Sequence, residues 1–278
     1  MNPESTPWDN MLKNVGEWDG SFTKFDLNGT EIRNIPSHLK LEDLGNHRAK
    51  LTLTRRSPQH PTPLVQEYAS LSPGLLFCDC GAFSQGSMQF APFAQFGGEF
   101  GHVWADRRLR LVQLFTPESK PEFITLIREV RSGSQAPILD RLQISDLIGT
   151  WNGSATTYYP DWRTPTQFTS TLTMSQSMSQ SDAGTLDQSL QLGDRVIRSQ
   201  GRIEGNSLFF DQSVLKTQVL MLPDKASATF PMEIPKGIPF FMECGWMPEP
   251  NIRQRIIRSY DAKGEWISLT RVVERKIN

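Results

Sequence analysis

An internal repeat constrains the fold of this chain more than any other feature of its sequence. The heptapeptide VGEWDGS at residues 15–21 is matched by IGTWNGS at residues 148–154, so the motif recurs after 133 residues of a 278-residue chain. A repeat at about half the chain length predicts two units of one fold. The small polar stretch SGSQAP, residues 132–137, is typical of a linker, and it divides the chain into domains 1–134 and 135–278.

Strand-like segments follow the motif at matching places in both units. Alternating, β-branched residues come directly after each copy, and each unit ends on two strand-like segments joined by a short turn. Such turns join antiparallel neighbours, so each unit is predicted to be an antiparallel meander. A meander of roughly 130–140 residues removes its exposed edges by closing into a barrel. The paired segments are SFTKF (21–25) and SATTY (154–158), RLRLVQLF (108–115) and RQRIIRSY (253–260), and FITLIR (123–128) and WISLTR (266–271).

Helical spacing is confined to a short stretch before each unit. Trp8 and Met11 are spaced like one face of a helix, with Ser5 as the expected N-cap, and residues 138–142 have the same spacing before the second unit. The polar run at residues 174–181 predicts a long loop in the second unit. The expected fold class is therefore all-β, with two tandem antiparallel β-barrels, each preceded by a short helix.

Gly-x-Trp on the first strand, with an arginine on the last, resembles the structural signature of the lipocalin and calycin superfamily. The resemblance implies lipocalin-like barrels in which the tryptophan closes one end and the arginine packs across it. It pairs Trp18 with Arg128, and Trp151 with Arg271. The physical basis would be cation–π stacking with guanidinium hydrogen bonds to backbone carbonyls. These four residues are expected to close the barrels rather than to touch a ligand.

The whole chain, including NVGEWDGSFT at residues 14–23, is similar to an uncharacterised lipocalin-like family of cyanobacteria and plastid-bearing organisms. The nearest functional neighbours of that family are lipocalin-like lyases that attach open-chain tetrapyrroles to phycobiliproteins. The Arg-x-Arg of the penultimate strand resembles the propionate-binding arginines of those lyases.

Two arginine pairs are the main candidates for ligand binding. Strand alternation places Arg108 with Arg110, and Arg253 with Arg255, on one face of their strands. If that face lines the lumen, the arginines must meet an anion, because unpaired buried charge is expensive, and a ligand carboxylate is one such anion. If the face lies outside, the arginines are simply solvated. The sequence leaves both interpretations open.

Aromatic residues and metal-ligating residues add few further candidates. Six phenylalanines between residues 77 and 100 cannot share one helix, and they either line a cavity mouth or fill a core; Phe77 and Phe90 are the candidate ligand contacts. Cys78 and Cys80 lack the third and fourth ligands that zinc requires, so no metal site is predicted. Haem is conceivable only in the first unit, through His102, and the cofactor stays unknown.

Composition excludes several partners. A net charge of −1 without a basic stripe predicts no nucleic-acid binding. No apolar run has the length of a membrane span, so no membrane association is expected. The N-terminus has no signal-peptide pattern, and three cysteines form no disulfide framework, which favours a cytoplasmic location.

Three functions follow as hypotheses. The leading one is binding of a small hydrophobic carboxylate, such as a tetrapyrrole or a fatty acid, in a barrel cavity, with the first barrel as the better candidate. The enzymatic alternative is a bilin lyase that delivers a tetrapyrrole to a phycobiliprotein cysteine, with Asp106 or Glu99 as the acid. The third is a non-enzymatic scaffold whose barrels are filled by their own side chains. Binding is favoured over catalysis.

Overall fold

The computed structural model describes residues 6–177 and 184–277. Over these residues the chain forms two short helices and 19 strands. In chain order they are α1 (Pro7–Leu12), β1 (Gly16–Phe25), β2 (Glu31–Gly45), β3 (Arg48–Arg55), β4 (Leu64–Tyr68), β5 (Leu75–Phe77), β6 (Phe83–Gly86), β7 (Phe96–Trp104), β8 (Arg107–Phe115), β9 (Pro121–Arg131), α2 (Ile144–Leu147), β10 (Gly149–Tyr158), β11 (Thr166–Ser177), β12 (Thr185–Leu192), β13 (Arg195–Glu204), β14 (Ser207–Phe210), β15 (Thr217–Leu222), β16 (Ala226–Pro231), β17 (Phe240–Glu249), β18 (Ile252–Tyr260) and β19 (Trp266–Ile277).

The strands form two antiparallel, barrel-like units, which confirms the predicted fold class. In the second unit β10 to β19 follow one another around a closed barrel. The first unit is a curled nine-stranded sheet in the order β4-β3-β2-β1-β9-β8-β7-β6-β5, and it stays open between β4 and β5. We call this gap the seam; residues 69–74 cross it. The expectation of two closed barrels is therefore wrong for the first unit.

The seam exists because the first unit has one strand fewer. Gln85 on β6 pairs with Leu75 on β5, just as Thr229 on β16 pairs with Val219 on β15, so β5 corresponds to β15. In the second unit β14 bridges β13 and β15. The first unit has no strand at that position among its described residues, and the chain runs from β4 directly into the linker at 69–74.

The recurring Gly-x-Trp begins the first strand of each unit. Gly16 and Gly149 have φ of 134° and 124°, a region that side chains rarely adopt. A Cβ on Gly16 would collide with the Arg131 guanidinium, and one on Gly149 would lie 2.8 Å from Cε of Lys276. The glycine therefore lets a long cation approach the backbone beside the tryptophan.

Both helices begin later than the sequence predicts. The N-cap of α1 is Thr6 rather than Ser5: the Thr6 hydroxyl accepts from the Asp9 backbone N–H, and the Asp9 carboxylate accepts from the Thr6 N–H. Before the second unit, residues 138–142 form neither helix nor strand. The N–H of Leu139 donates to the Asp224 carboxylate and that of Leu142 to the Leu222 carbonyl, so these groups bind the second unit instead of a helical turn.

The largest apolar core lies between the two units. Phe100, Leu109 and Leu111 on β7 and β8 of the first unit pack in one cluster with Phe230 and Ile256 of the second unit. Two smaller apolar clusters lie in the lumens, one around Trp18 and one around Trp151. The outer face of each sheet at this interface is therefore as apolar as an interior.

Two further expectations concern loops and spans. β11 continues to Ser177, so the first part of the predicted loop at 174–181 is strand, and residues 178–183 lie outside the described residues. Within the described ranges, no helix is long and apolar enough to cross a membrane.

Candidate functional site

The first unit encloses a cavity of about 470 Å³ beside the seam. Its volume falls within the range of small-molecule sites, about 300–1,000 Å³. Apolar side chains from β2, β3, β5 and β6 form most of the wall, β4 and residues 70–73 border the seam, and Glu99, Arg108 and Arg110 are charged wall residues. The apolar wall residues include Leu39, Leu41, Leu51, Leu75, Phe77 and Phe83.

The corresponding region of the second unit is packed with side chains. There Leu208 and Phe210 of β14 join a cluster with Trp151, Met174 and Met221. Since β14 has no counterpart in the first unit, the space that its side chains would fill contributes to the cavity.

The arginine pair of the first unit faces the lumen, which answers the question that the sequence left open. Arg110 holds Glu129 through two hydrogen bonds, Nε to Oε2 at 3.0 Å and Nη2 to Oε1 at 2.9 Å. Arg108 donates from Nε to the same Oε2 at 2.7 Å, and Arg110 also reaches Glu99 at 2.7 Å. The Glu129 side chain is completely buried, whereas that of Glu99 is 26% exposed.

Mutual attraction keeps these groups charged inside the protein. Burial alone would raise the pKa of Glu129, but Arg108 and Arg110 outweigh it and lower this pKa to about 2. Burial would likewise lower the pKa of Arg110, but Glu129 and Glu99 outweigh it and raise that pKa. For Arg108 burial prevails and lowers the pKa, although Glu129 opposes it.

The second unit repeats this arrangement. Arg253 and Arg255 lie between Glu243 and Glu274, with Arg255 Nη1 3.1 Å from Glu274 and Arg255 Nε 3.1 Å from Glu243. Arg253 is looser, since its nearest carboxylate oxygen, on Glu274, is 3.5 Å away. Arg108 pairs across the sheet with Glu129 as Arg253 pairs with Glu274. We call the two arginines and two glutamates of each unit its Arg–Glu quartet.

The anion required by each buried arginine pair is thus provided by the protein. Sequence reasoning missed Glu129, Glu243 and Glu274 as these partners. A signal was present, because Glu129 follows Arg108 by 21 residues and Glu274 follows Arg253 by the same number. Matching FITLIR with WISLTR hides this signal, because that match is two residues away from the correspondence that the strand pairing gives.

The predicted closure pairs are wrong in their cations. Arg131, not Arg128, lies over the Trp18 ring at 4.0 Å, and Lys276, not Arg271, lies over Trp151 at 5.1 Å. The reason is strand alternation: Trp18 pairs with Arg131, and Trp151 with Lys276, so each pair shares the lumen face.

Arg128 and Arg271 point to the opposite face, toward the other unit. Arg128 donates to the Thr23 hydroxyl at 3.0 Å. Both tryptophans are nevertheless fully buried, and each indole N–H donates to a carbonyl four residues earlier, Asn14 or Leu147.

The two candidate phenylalanines lie in different parts of the protein. Phe77 lines the cavity and packs against Phe83 with ring centroids 5.2 Å apart. Phe90 instead lies in the core between the units, where its ring meets Phe96 and Phe240 edge-on, so its assignment as a ligand contact is wrong. Phe96 belongs to the outer face of the first sheet, and Phe240 belongs to the second unit that covers this face.

The residues considered for acid or metal chemistry also lie apart from one another. Glu99 lies in the cavity wall, but Asp106 is exposed in the turn between β7 and β8. His102 is buried between the units, where its Nε2 lies 3.1 Å from the Cys244 carbonyl oxygen, and burial lowers its pKa to about 4. It is therefore a neutral core histidine rather than a haem ligand of the cavity.

The cysteines are free thiols, with Cys78 and Cys244 buried and Cys80 partly buried. Within residues 6–177 and 184–277, no cluster of three or more potential metal ligands is present.

Fold and site together define a duplicated β-barrel protein in which one lumen is open. A family model described as domain of unknown function (DUF3598), N-terminal, matches residues 4–134, and one described as biogenesis factor required for ATP synthase 1, C-terminal domain, matches residues 139–277. A protein of unknown function from the DUF3598 family of Nostoc punctiforme, whose crystal structure is known, is 41% identical to this chain in sequence. The two structures match with a TM-score of 0.91, and the match covers 98% of this chain and 100% of that one. The chain belongs to the DUF3598 family, which confirms the predicted resemblance to an uncharacterised cyanobacterial family.

The S-type phycobiliprotein lyase CPES of Guillardia theta is a more distant structural match. Its sequence identity is 10%, the match covers 49% of this chain and 90% of that chain, and the TM-score is 0.37. No curated protein matches the sequence.

Proposed function

We propose that the first unit binds a small hydrophobic carboxylate, such as a tetrapyrrole or a fatty acid, in the cavity beside the seam. The observation that carries this proposal is an apolar cavity of about 470 Å³ with two buried arginines in its wall. Burial of apolar surface would supply most of the affinity, at about 25 cal/mol per Å². The arginines would set the orientation of the ligand.

Charge at the cavity favours an anionic ligand even though the quartet is internally paired. Nη2 of Arg108 is buried and has no hydrogen-bond acceptor, so a ligand carboxylate at this wall would supply one. With Arg131 stacked on Trp18, three guanidinium groups lie on the lumen side of this region against two carboxylates, Glu99 and Glu129. The net charge of these five groups is +1.

The test is a titration of the full chain with biliverdin, followed by absorbance, and with cis-parinaric acid, followed by fluorescence. We expect micromolar binding that Arg108→Ala weakens by about tenfold, since a charged hydrogen bond contributes about 1.5–3 kcal/mol. Arg253→Ala is the matched control, because it truncates the equivalent arginine in the packed second lumen and should leave affinity unchanged. Absence of binding to both probes would refute the proposal.

Bilin lyase activity is the enzymatic form of the same proposal, and it adds a phycobiliprotein as the partner. Glu99 is then the acid in the cavity wall. Mixing the protein with a bilin and an apo-phycobiliprotein should give a covalent adduct faster than the uncatalysed background. A rate equal to background removes catalysis and leaves binding.

A scaffold role is the second candidate, and the packed second lumen favours it. The family model matching residues 139–277 is described as the C-terminal domain of a biogenesis factor required for ATP synthase, a description that names no ligand. If neither probe binds, this candidate becomes the better one. A cytoplasmic location belongs to the proposal in either case, and fractionation of cells that express the chain would test it.

A further inference from the structure

A buried arginine of the second unit contacts the first unit beside the seam. Arg258 on β18 is fully buried, and its guanidinium donates to the carbonyl oxygens of Gly74 at 3.3 Å, Gly86 at 3.3 Å and Ser87 at 3.1 Å. Its Nε donates to the Tyr260 hydroxyl at 2.7 Å, and that hydroxyl donates onward to Ser87 at 2.8 Å. One side chain of the second unit thus holds the open end of the β5–β6 hairpin.

The hydrogen-bond acceptors of Arg258 in the described part of the chain are all neutral. Besides the three carbonyls and Tyr260, its guanidinium stacks on the Trp266 ring at 3.5 Å. A buried charge without a carboxylate is costly, and a well-packed apolar residue would stabilise an interface at least as well. The contact is therefore explained better by the need to hold those carbonyls than by stability of the interface.

The carbonyls that Arg258 holds belong to one edge of the seam. Gly74 ends the linker at 69–74, which lines the cavity, and β5 begins at the next residue. Gly86 donates its N–H to the Gly74 carbonyl at 3.2 Å, and a Cβ on Gly74 would lie only 2.6 Å from the Gly86 oxygen. The backbone here is closely packed and fixed from the second unit.

The other edge of the seam has no such support among residues 6–177 and 184–277. There β4 pairs only with β3, and residues 64–67 are exposed. Strand edges with exposed backbone hydrogen bonds belong to the least stable parts of a fold. One edge is therefore held by the second unit while the other is free.

We propose that Arg258 is a positioning residue for the cavity of the first unit: it fixes the β5 edge of the seam, so that the second unit sets the opening through which a ligand reaches the cavity. The effect on ligands rests on the proposed function. The effect on the seam is a property of the protein alone, so the two can fail separately.

Hydrogen–deuterium exchange of the full chain tests the positioning without a ligand. In Arg258→Gln we expect amide exchange about tenfold faster in peptides that cover residues 69–77 and 84–88, because charged hydrogen bonds to their carbonyls are lost. Arg107→Gln is the matched control: Arg107 is also a buried arginine between the units, but it pairs with Asp224 and with the Pro248 carbonyl, away from the seam. This control should leave both peptides unchanged.

A milder variant distinguishes a local effect on the seam from misfolding of Arg258→Gln. Tyr260→Phe removes only the hydroxyl shared by Arg258 and Ser87, keeps the ring stacked on Phe240, and should accelerate exchange in the same peptides by a smaller factor. Unchanged exchange in both variants, or equal acceleration in Arg107→Gln, overturns the positioning role. If the wild type binds biliverdin or cis-parinaric acid, Arg258→Gln should also release the probe about tenfold faster. If it binds neither, the proposed function fails while the exchange result still decides this inference.

Discussion

Replacing Glu129 with glutamine should destabilise the protein by about 3 kcal/mol. The substitution keeps the volume of the side chain but removes the charge that holds Arg108 and Arg110. The pKa of Glu129 is about 2 against an ordinary value of 4.5, and at about 1.36 kcal/mol per pKa unit this difference corresponds to about 3 kcal/mol at neutral pH. Breaking a buried ion pair by removing one partner costs about 3–5 kcal/mol, which agrees.

Glu99→Gln is the matched control within the same quartet. The Glu99 carboxylate pairs with one arginine, Arg110, among the described residues, and its side chain is 26% exposed, so solvent screens the interaction. The expected loss is below about 1 kcal/mol, as for other partly exposed pairs. Both substitutions change the same chemical group in the same lumen, and they differ in burial and in the number of arginines held.

Equilibrium unfolding in urea at pH 7 would measure both variants. Tryptophan fluorescence and far-ultraviolet circular dichroism should give coincident transitions, which justifies a two-state treatment. The reasoning is refuted if Glu129→Gln costs less than about 1 kcal/mol, or if Glu99→Gln costs as much. Either result would mean that the quartet is solvated or that the arginines find other acceptors.

Three further predictions follow from the lumens and the interface. Because the pKa of Glu129 is lowered, its contribution is complete above pH 4.5 and is lost as the pH falls toward 2; acid titration of stability should therefore be steeper in the wild type than in Glu129→Gln. Trp18→Ala and Trp151→Ala should each cost about 3–5 kcal/mol in urea unfolding, and a loss below about 1 kcal/mol in both would contradict their role in closing the lumens. Fragments 1–134 and 135–278 should fold only when mixed, since they share the largest core; a cooperative transition in either fragment alone would contradict this.

The fold could be predicted from the sequence because its signals are local. The repeated Gly-x-Trp begins β1 and β10, and the turns at residues 116–119 and 261–264 join the last two strands of each unit, as alternation and turn chemistry predict. The closure cations could not be assigned, because alternation does not show which residue of the last strand lies opposite the tryptophan: Arg128 and Arg131 are three residues apart and therefore lie on opposite faces. Only the pairing register, Trp18 with Arg131, distinguishes the correct cation.

To predict the site, one must know which face of the first sheet lines the lumen and which face the second unit covers. The sequence identifies Arg108 and Arg110 as sharing a face, but alternation does not say whether that face is the lumen. It also gives no sign that a strand position stays vacant beside β5, because a missing strand leaves no residues to read. Phe90 was misassigned for the same kind of reason, since a second unit turns an outer face into a core.

The interface explains how two copies of one fold could come to differ. On β8 the lumen face holds Arg108 and Arg110, while Leu109 and Leu111 of the opposite face pack into the core between the units. A solitary barrel would expose that apolar face to water, so each unit needs the other even when its own lumen binds no ligand. The second unit can therefore fill its lumen around the quartet without becoming dispensable. The first unit, with one strand fewer, keeps an open lumen whose rim is held in part by Arg258 of its neighbour.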